Sequence, residues 1–152
     1  MPRGKRTRRI TVAEVEHLAH WLAREHYTFD EPIPDFDTRF PHRLESCLYQ
    51  PFQTYDRKSL YPRLIDKAAI LFYLMIKNHP FQNGNKRIAM TTLQTFLLLN
   101  GKWLWIPNDE MYDITKLVAS SPREISKEIV AALRKLIAKH IGDPPEQEND
   151  LS

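Results

Sequence analysis

Apolar residues recur every three to four positions along most of the chain, which is the spacing of one face of an α-helix. The first such stretch follows Thr11, and Thr11 with Glu14 forms the capping-box pattern that starts a helix. We expect this helix to end near His26. An aperiodic segment with several prolines spans 28–41 and predicts a loop, and a short helix over Pro41–Tyr49 follows it.

Two strongly apolar segments dominate the middle of the chain. After an aperiodic segment over 50–58, the first of them runs from Pro62 to about Lys77, and proline is favoured in the first turn of a helix. The second runs from Asn85 to about Leu99 and ends at an Asn-Gly pair, a common helix stop. Both leave little polar surface, so we expect two central, buried helices joined by the loop 78–84.

The C-terminal third predicts one short extended segment and two further helices. Residues 102–106 are short and aromatic, Asp109 starts one helix, and a capping-box pattern of Ser121 and Glu124 starts the last. The last helix should place five apolar residues inward: Ile125, Ile129, Leu133, Leu136 and Ile137. Strands do not alternate with helices, which argues against a dinucleotide-binding sheet. The pattern predicts an all-α chain in which two buried helices flank one loop.

Length and composition narrow the class of protein. A chain of 152 residues is long enough for one domain with a continuous apolar core. Its single cysteine, Cys47, cannot form an internal disulfide, so we expect a reducing compartment and a small buried side chain. Charged residues interrupt every apolar run before it reaches membrane-spanning length, and no secretion signal follows the N-terminal basic residues. These observations predict a soluble, cytoplasmic protein without a membrane partner.

The charges are concentrated at the two ends of the chain, although the net charge is only +3. Residues 1–9 are rich in Arg and Lys and predict a disordered basic arm, 10–141 the folded domain, and 142–152 a polar tail. A basic arm can bind nucleic acid through its phosphates. No aromatic residue accompanies these cations, so a solvated terminus is the favoured interpretation and a nucleic-acid partner is not expected.

The loop between the two central helices carries the best candidate chemistry. Gly84 and Asn85 allow the backbone to curl where a helix begins, and helix N-termini bind anions such as phosphate. Lys86 and Arg87 fall in the first helical turn, where cations fit poorly unless an anion compensates them. His79 has a side chain that can accept a proton near neutral pH. An Asn-Gly-Asn segment is also ordinary turn chemistry, so the residues alone leave a structural turn open.

The same segment resembles a known family. His79, Phe81 and Gly84–Arg87 match the signature of Fic-domain proteins, H-x-F-x-[D/E]-G-N-[G/K]-R. Further similar segments are Leu44-Glu45-Ser46, Leu60-Tyr61-Pro62, Lys67-Ala68-Ala69 and Phe96–Gly101. The resemblance covers roughly 43–103 and implies a compact Fic-type bundle of about six helices whose active site is the central helix–loop–helix.

The resemblance also implies roles for individual residues. By this analogy His79 is the general base that activates a protein hydroxyl. Gly84, Asn85 and Lys86 form the nest for the phosphates of a nucleotide, and Arg87 neutralises the transferred or leaving phosphate. The segment 50–58 would be a flap that aligns the target.

Two positions are similar to the death-on-curing (Doc) toxin branch and differ from the AMP-transferring branch. Lys86 and Met90 stand where that other branch commonly has Gly and a second Arg. The resemblance implies a toxin of a toxin–antitoxin system that moves a phosphoryl group from ATP to a Ser or Thr hydroxyl, on a translation factor such as elongation factor Tu. It also implies a cognate antitoxin in the active-site cleft. AMP transfer by the same loop and a non-catalytic nucleotide-binding or partner-binding module are the alternatives.

One position departs from the family pattern. Asn83 occupies the place of the family's magnesium-binding acidic residue. A neutral amide oxygen is a weaker ligand for Mg²⁺ than a carboxylate, so we expect metal affinity to fall. Magnesium keeps the nucleotide phosphates and water as ligands, so we expect transfer to be weakened or altered and not abolished. An inactive or differently specific member of the family is the alternative.

Overall fold

A computed structural model of the chain describes residues 6–146. Within them lie six α-helices, of which α1 is composite: it continues without a break through Val12–Glu14, the π-helical turns Val15–His20, and Trp21–His26. The others are α2 (Pro41–Tyr49), α3 (Leu64–Lys77), α4 (Asn85–Leu99), α5 (Asn108–Ser120) and α6 (Ser126–His140). The all-α fold expected from the apolar periodicity is confirmed.

Helices α3 and α4 form the centre of the bundle, as their composition predicts. Every residue of α3 from Asp66 to Lys77 is buried, because α3 packs against α4, α5 and α6 on different sides. Helix α4 in turn packs against α1 and α5. A helix that is apolar all round must be covered all round. Cys47 is also fully buried, as expected, and burial raises the pKa of its thiol to about 12.

Helix starts follow the capping groups. The Thr11–Glu14 capping box is present: the Glu14 amide donates to Thr11 Oγ1 at 3.1 Å, and the Thr11 amide donates to Glu14 Oε1 at 3.0 Å. The prediction of Pro62 in the first turn of α3 is wrong, since α3 begins at Leu64. The Asp66 carboxylate accepts the Arg63 amide at 3.0 Å, which sets the start of the helix beyond the proline.

The predicted capping box at Ser121 is also wrong. The Ser121 hydroxyl donates to the Val118 carbonyl at 2.6 Å, so it closes α5 and does not start the next helix. A 3₁₀ turn over Arg123–Ile125 follows, and α6 begins at Ser126. Ile125 is consequently exposed and does not point inward with the other apolar residues of this segment.

Two short antiparallel pairs complete the fold. Strands β1 (Thr54–Tyr55) and β2 (Lys58–Ser59) form a hairpin inside the aperiodic segment that follows α2. Strand β3 (Trp103–Leu104) lies in the segment predicted to be extended and pairs with β4 (Ile141–Gly142), which straddles the predicted boundary between domain and tail.

The basic N-terminal segment is partly attached to the bundle. The Arg8 amide donates to Asn100 Oδ1 at 2.7 Å, and the Arg9 guanidinium lies 4.3 Å from the centre of the Phe52 ring. The disorder predicted for 1–9 therefore does not extend to Arg8 and Arg9, and residues 1–5 lie outside the described part of the chain. None of the helices within residues 6–146 is long and apolar enough to cross a membrane.

Candidate functional site

The loop between α3 and α4 is held by one aromatic side chain and one amide. Phe81 is buried and packs against the rings of His20 and Phe36, with ring centres 5.7 and 5.9 Å away. The Asn85 amide clamps the same residue, because Oδ1 accepts the Phe81 amide and Nδ2 donates to the Phe81 carbonyl, each at 2.9 Å. The loop therefore has a defined shape at the point where α4 begins.

Gly84 is required at the start of α4. Its φ is +74°, in the left-handed region that disfavours side chains, and a Cβ atom there would lie 2.9 Å from Ile33 Cγ1. The next residue, Asn85, opens α4. The first amides of a helix have no acceptor within the helix, so this turn offers N–H donors to an anion.

His79 is exposed on the loop and has a left-handed φ of +45°. Arg43 supports this backbone, because its Nη1 donates to the His79 carbonyl at 3.3 Å. Asn85 Nδ2, which can only donate, lies 3.4 Å from His79 Nδ1. That contact is long for a hydrogen bond, so it favours the neutral ring without determining which nitrogen holds the proton.

The electrostatic surroundings of His79 act in the same direction. Partial burial lowers the pKa of the ring below its ordinary value, and the positive charges of Lys86, Arg123, Arg43 and Lys77 lower it further. A histidine with a lowered pKa is neutral at physiological pH. It is therefore in the form that accepts a proton.

His79 lines two cavities. The larger has a volume of about 610 Å³, and the smaller about 510 Å³. One wall of the larger cavity consists of His79 and the continuous segment 82–87, which includes the individual catalytic and phosphate-binding residues predicted from the sequence. A second wall includes Asp30, Glu31 and Tyr112, from the segment after α1 and from α5.

The smaller cavity is lined mainly by basic and polar side chains. Its residues are His42, Arg43, Ser46, Lys77, Asn78, His79 and Arg123. Lys77 donates to the Ala119 carbonyl at 3.2 Å, and Arg123 donates to the Lys77 carbonyl at 2.8 Å. These cations come from α2, the end of α3 and the turn before α6, and sequence reasoning did not connect them to the loop.

Lys86 and Arg87 differ in how they are held, although both line the larger cavity. Arg87 is only 3% exposed, and it donates from Nη1 to the Tyr27 carbonyl at 2.9 Å and from Nη2 to the Glu31 carbonyl at 2.5 Å. Lys86 is partly exposed and forms no hydrogen bond or ion pair with another of the residues 6–146 through its side chain. Arg87 therefore has a structural task that its position in the motif does not indicate.

The second wall of the larger cavity is acidic. Asn83 Nδ2 donates to Glu31 Oε2 at 2.8 Å. The amide that replaces the acidic residue of the family pattern therefore faces a carboxylate from a segment distant in sequence. The Tyr112 hydroxyl donates to the Asp30 carboxylate, and the Tyr112 ring packs on Phe29 with centres 4.8 Å apart. Sequence reasoning treated 28–41 only as a loop, because an aperiodic segment gives no sign of the surface it faces.

The chain is similar in sequence to known proteins. Residues 9–97, more than half of the chain, match the model of the Fic/DOC family, and this range includes α1 to α3, the loop and most of α4. Toxin Doc of Mycolicibacterium smegmatis is 41% identical over 58 residues, which cover 38% of this chain. The chain spans 45% of the length of that relative. No solved structure gave a significant match.

Proposed function

Because the chain belongs to the Fic/Doc family, we propose that it is a Doc-like toxin that transfers a phosphoryl group from ATP to a Ser or Thr hydroxyl of a target protein. One observation carries the proposal: His79, whose pKa is lowered, lines two cavities, and the larger is also lined by the start of α4. A base that lines two binding spaces suits a transfer from one bound molecule to another.

The larger cavity is the proposed nucleotide site. It combines the free amides at the start of α4 with the Lys86 ammonium, and both attract phosphate. Its volume of about 610 Å³ lies in the range of cofactor-sized sites. Arg87 adds positive charge from a fixed position on the same wall, so it supports the phosphates without moving.

The smaller cavity is the proposed entry for the acceptor hydroxyl. Phosphoryl transfer requires the attacking and leaving oxygens to lie roughly in line, so the acceptor should approach from the side opposite the leaving group. The acceptor oxygen then bonds to the γ-phosphorus while the bond from that phosphorus to the bridging oxygen breaks. His79 takes the hydroxyl proton, and ADP leaves.

The oxygen donors of the larger cavity suit a divalent cation. Carboxylates line this cavity, and a carboxylate is a hard ligand of the type that Mg²⁺ binds. Bound Mg²⁺ supplies positive charge that neutralises the phosphate oxygens during transfer. Within residues 6–146 no group of three or more His, Cys, Asp or Glu side chains is placed to hold a metal alone, so the nucleotide would complete the ligand set.

The proposed biological setting is a toxin–antitoxin pair. Support comes from the similarity to a curated relative named as a Doc toxin. The proposed target is a translation factor such as elongation factor Tu, and the proposed inhibitor is an antitoxin that covers the cleft. The target and the antitoxin are proposals that go beyond the family membership.

Labelled ATP separates the competing activities. Purified chain is incubated with elongation factor Tu and ATP labelled on either the γ- or the α-phosphate, and the target is then examined by mass spectrometry. Phosphoryl transfer is expected to leave the γ-label and the mass of one phosphoryl group on a Ser or Thr. Retention of the α-label with the mass of AMP would instead establish AMP transfer. Nucleotide binding without any adduct would favour a binding module.

A further inference from the structure

We propose that Glu31 supplies the carboxylate ligand for the divalent cation of the nucleotide site, in the place where Asn83 offers only an amide. The inference rests on the proposed nucleotide transfer and adds a residue from outside the motif. It starts from the contact between the two side chains, in which Asn83 Nδ2 donates to Glu31 Oε2 at 2.8 Å.

The orientation of the Asn83 amide makes it a poor cation ligand. Its Oδ1 already accepts the Gly84 amide at 2.8 Å, and its Nδ2 points at the Glu31 carboxylate. An NH₂ group cannot bind a cation, whereas a carboxylate is the ligand that Mg²⁺ prefers. The hydrogen bond therefore brings the oxygen of Glu31 within one hydrogen-bond length of the position at which the family pattern has its acidic residue.

The backbone of Glu31 is fixed to the wall that carries the phosphate nest. Arg87 of α4 donates to the carbonyls of Tyr27 and Glu31, at 2.9 and 2.5 Å. The Arg87 guanidinium also lies 5.6 Å from the centre of the Phe29 ring. Both bonds join the acidic segment to the first turn of α4, so the carboxylate projects from a position that is set relative to the nest.

Charge gives a second reason for a cation at this point. No Lys, Arg or His within residues 6–146 forms an ion pair with the Glu31 carboxylate, and its hydrogen-bond partner is the neutral Asn83 amide. A carboxylate beside a nest for phosphates would repel the nucleotide, since like charges a few ångströms apart repel each other. A divalent cation between them removes the repulsion and uses both groups as ligands.

Asp30 provides a comparison within the same wall. Its carboxylate accepts the Tyr112 hydroxyl and does not contact Asn83 among the described hydrogen bonds. Both acidic residues line the cavity, so both add negative potential. Of the two carboxylates, only that of Glu31 contacts Asn83. A comparison of variants at Glu31 and Asp30 therefore distinguishes direct binding of the cation from a general electrostatic effect.

Manganese binding tests the inference without relying on turnover. The free Mn²⁺ signal in electron paramagnetic resonance is titrated with the full chain in excess over ADP, against a blank of ADP alone, and calorimetry measures ADP binding in the presence of a chelator. Glu31→Gln is expected to weaken Mn²⁺ binding by about 10-fold or more, whereas Asp30→Asn should change it much less. The double variant Asn83→Asp with Glu31→Gln should restore tight binding, because the carboxylate returns at the family position.

The outcomes separate this inference from the proposed function. If ADP binds but Glu31→Gln leaves Mn²⁺ affinity unchanged, or Asp30→Asn weakens it equally, Glu31 is not the ligand. Failure of the double variant to regain affinity, with thermal unfolding unchanged, would also overturn the assignment. If the unmodified chain binds no ADP, with or without Mn²⁺, the nucleotide site itself is wrong and the proposed function falls with it.

Discussion

The two walls of the larger cavity differ in charge and in origin. The wall formed by His79 and 82–87 comes from one continuous segment and carries the cations Lys86 and Arg87. The second wall is acidic, and its Asp30 and Tyr112 are joined by a hydrogen bond between residues 82 positions apart. The basic wall thus contains groups that attract phosphate, whereas the acidic wall contains groups that attract cations.

Arg87 joins the two walls. It belongs to the motif by sequence, yet its guanidinium donates to backbone carbonyls of the acidic segment. A charged side chain in a motif can therefore hold a site together as well as bind its ligand. Substitutions can test the basic wall, the Arg87 junction and the positive charges around His79, and their expected effects decrease in that order.

Removal of His79 should have the largest effect on transfer. His79→Ala is expected to lower the transfer rate by about 10² to 10⁴, since it removes the general base. Its exposed side chain contributes little to packing, so the thermal unfolding temperature should stay nearly unchanged. The rate of label incorporation from γ-labelled ATP measures the effect, and the exposed His17→Ala on α1 is the matched control. Full transfer by the His79 variant would show that another group accepts the proton.

Removal of Arg87 should open the junction between the walls. Arg87→Ala leaves the carbonyls of Tyr27 and Glu31 without their donors and is expected to lower the free energy of unfolding by about 2–3 kcal/mol. Urea denaturation measures the change.

Lys86→Ala is the matched control for that experiment. It removes the neighbouring cation, whose side chain forms no hydrogen bond or ion pair with another described residue, so stability should change by less than about 0.5 kcal/mol. Nucleotide affinity should fall in both variants. Equal stability of the two variants would show that the Arg87 contacts do not stabilise the fold.

The smallest predicted effect concerns the pH dependence of transfer. Positive charges at Lys86, Arg123, Arg43 and Lys77 add to burial in lowering the pKa of His79. Loss of one charge favours the imidazolium and raises that pKa. Arg123→Gln should therefore move the acidic limb of the rate profile to higher pH, because the neutral base is lost earlier as pH falls. Lys139→Gln, at the far end of α6, should leave the limb in place, and an unmoved limb in Arg123→Gln would contradict the electrostatic account.

Sequence periodicity was sufficient for the helices but not for all of their boundaries. The central pair was predictable because α3 and α4 are apolar on nearly every side, and such segments must be buried. The helix starts predicted at Pro62 and Ser121 were wrong. A capping pattern shows which residues can start a helix, but it does not show which hydrogen-bond partner each residue has in the fold. The Asp66 carboxylate accepts the Arg63 amide, so α3 starts after Pro62. The Ser121 hydroxyl donates to the Val118 carbonyl of the preceding helix.

Some residues of the candidate site could be predicted from the sequence and others could not. The residues of 79–87 could be predicted together because they are adjacent in sequence, and a turn before a helix has known local geometry. Asp30, Glu31, Arg43 and Arg123 could not, since their segments show no periodicity that relates them to the loop.

By itself, the sequence determined the helical bundle, its two buried central helices and the residues of the loop between them, because these depend on local spacing and on backbone conformations such as that of Gly84. Only the tertiary structure decided that Glu31 meets Asn83 across 52 positions, and that Arg87 is bound to Tyr27 across 60. The physical reason is that such contacts depend on how α1 and the following loop pack on α4. That packing brings together residues whose separation along the chain carries no signal.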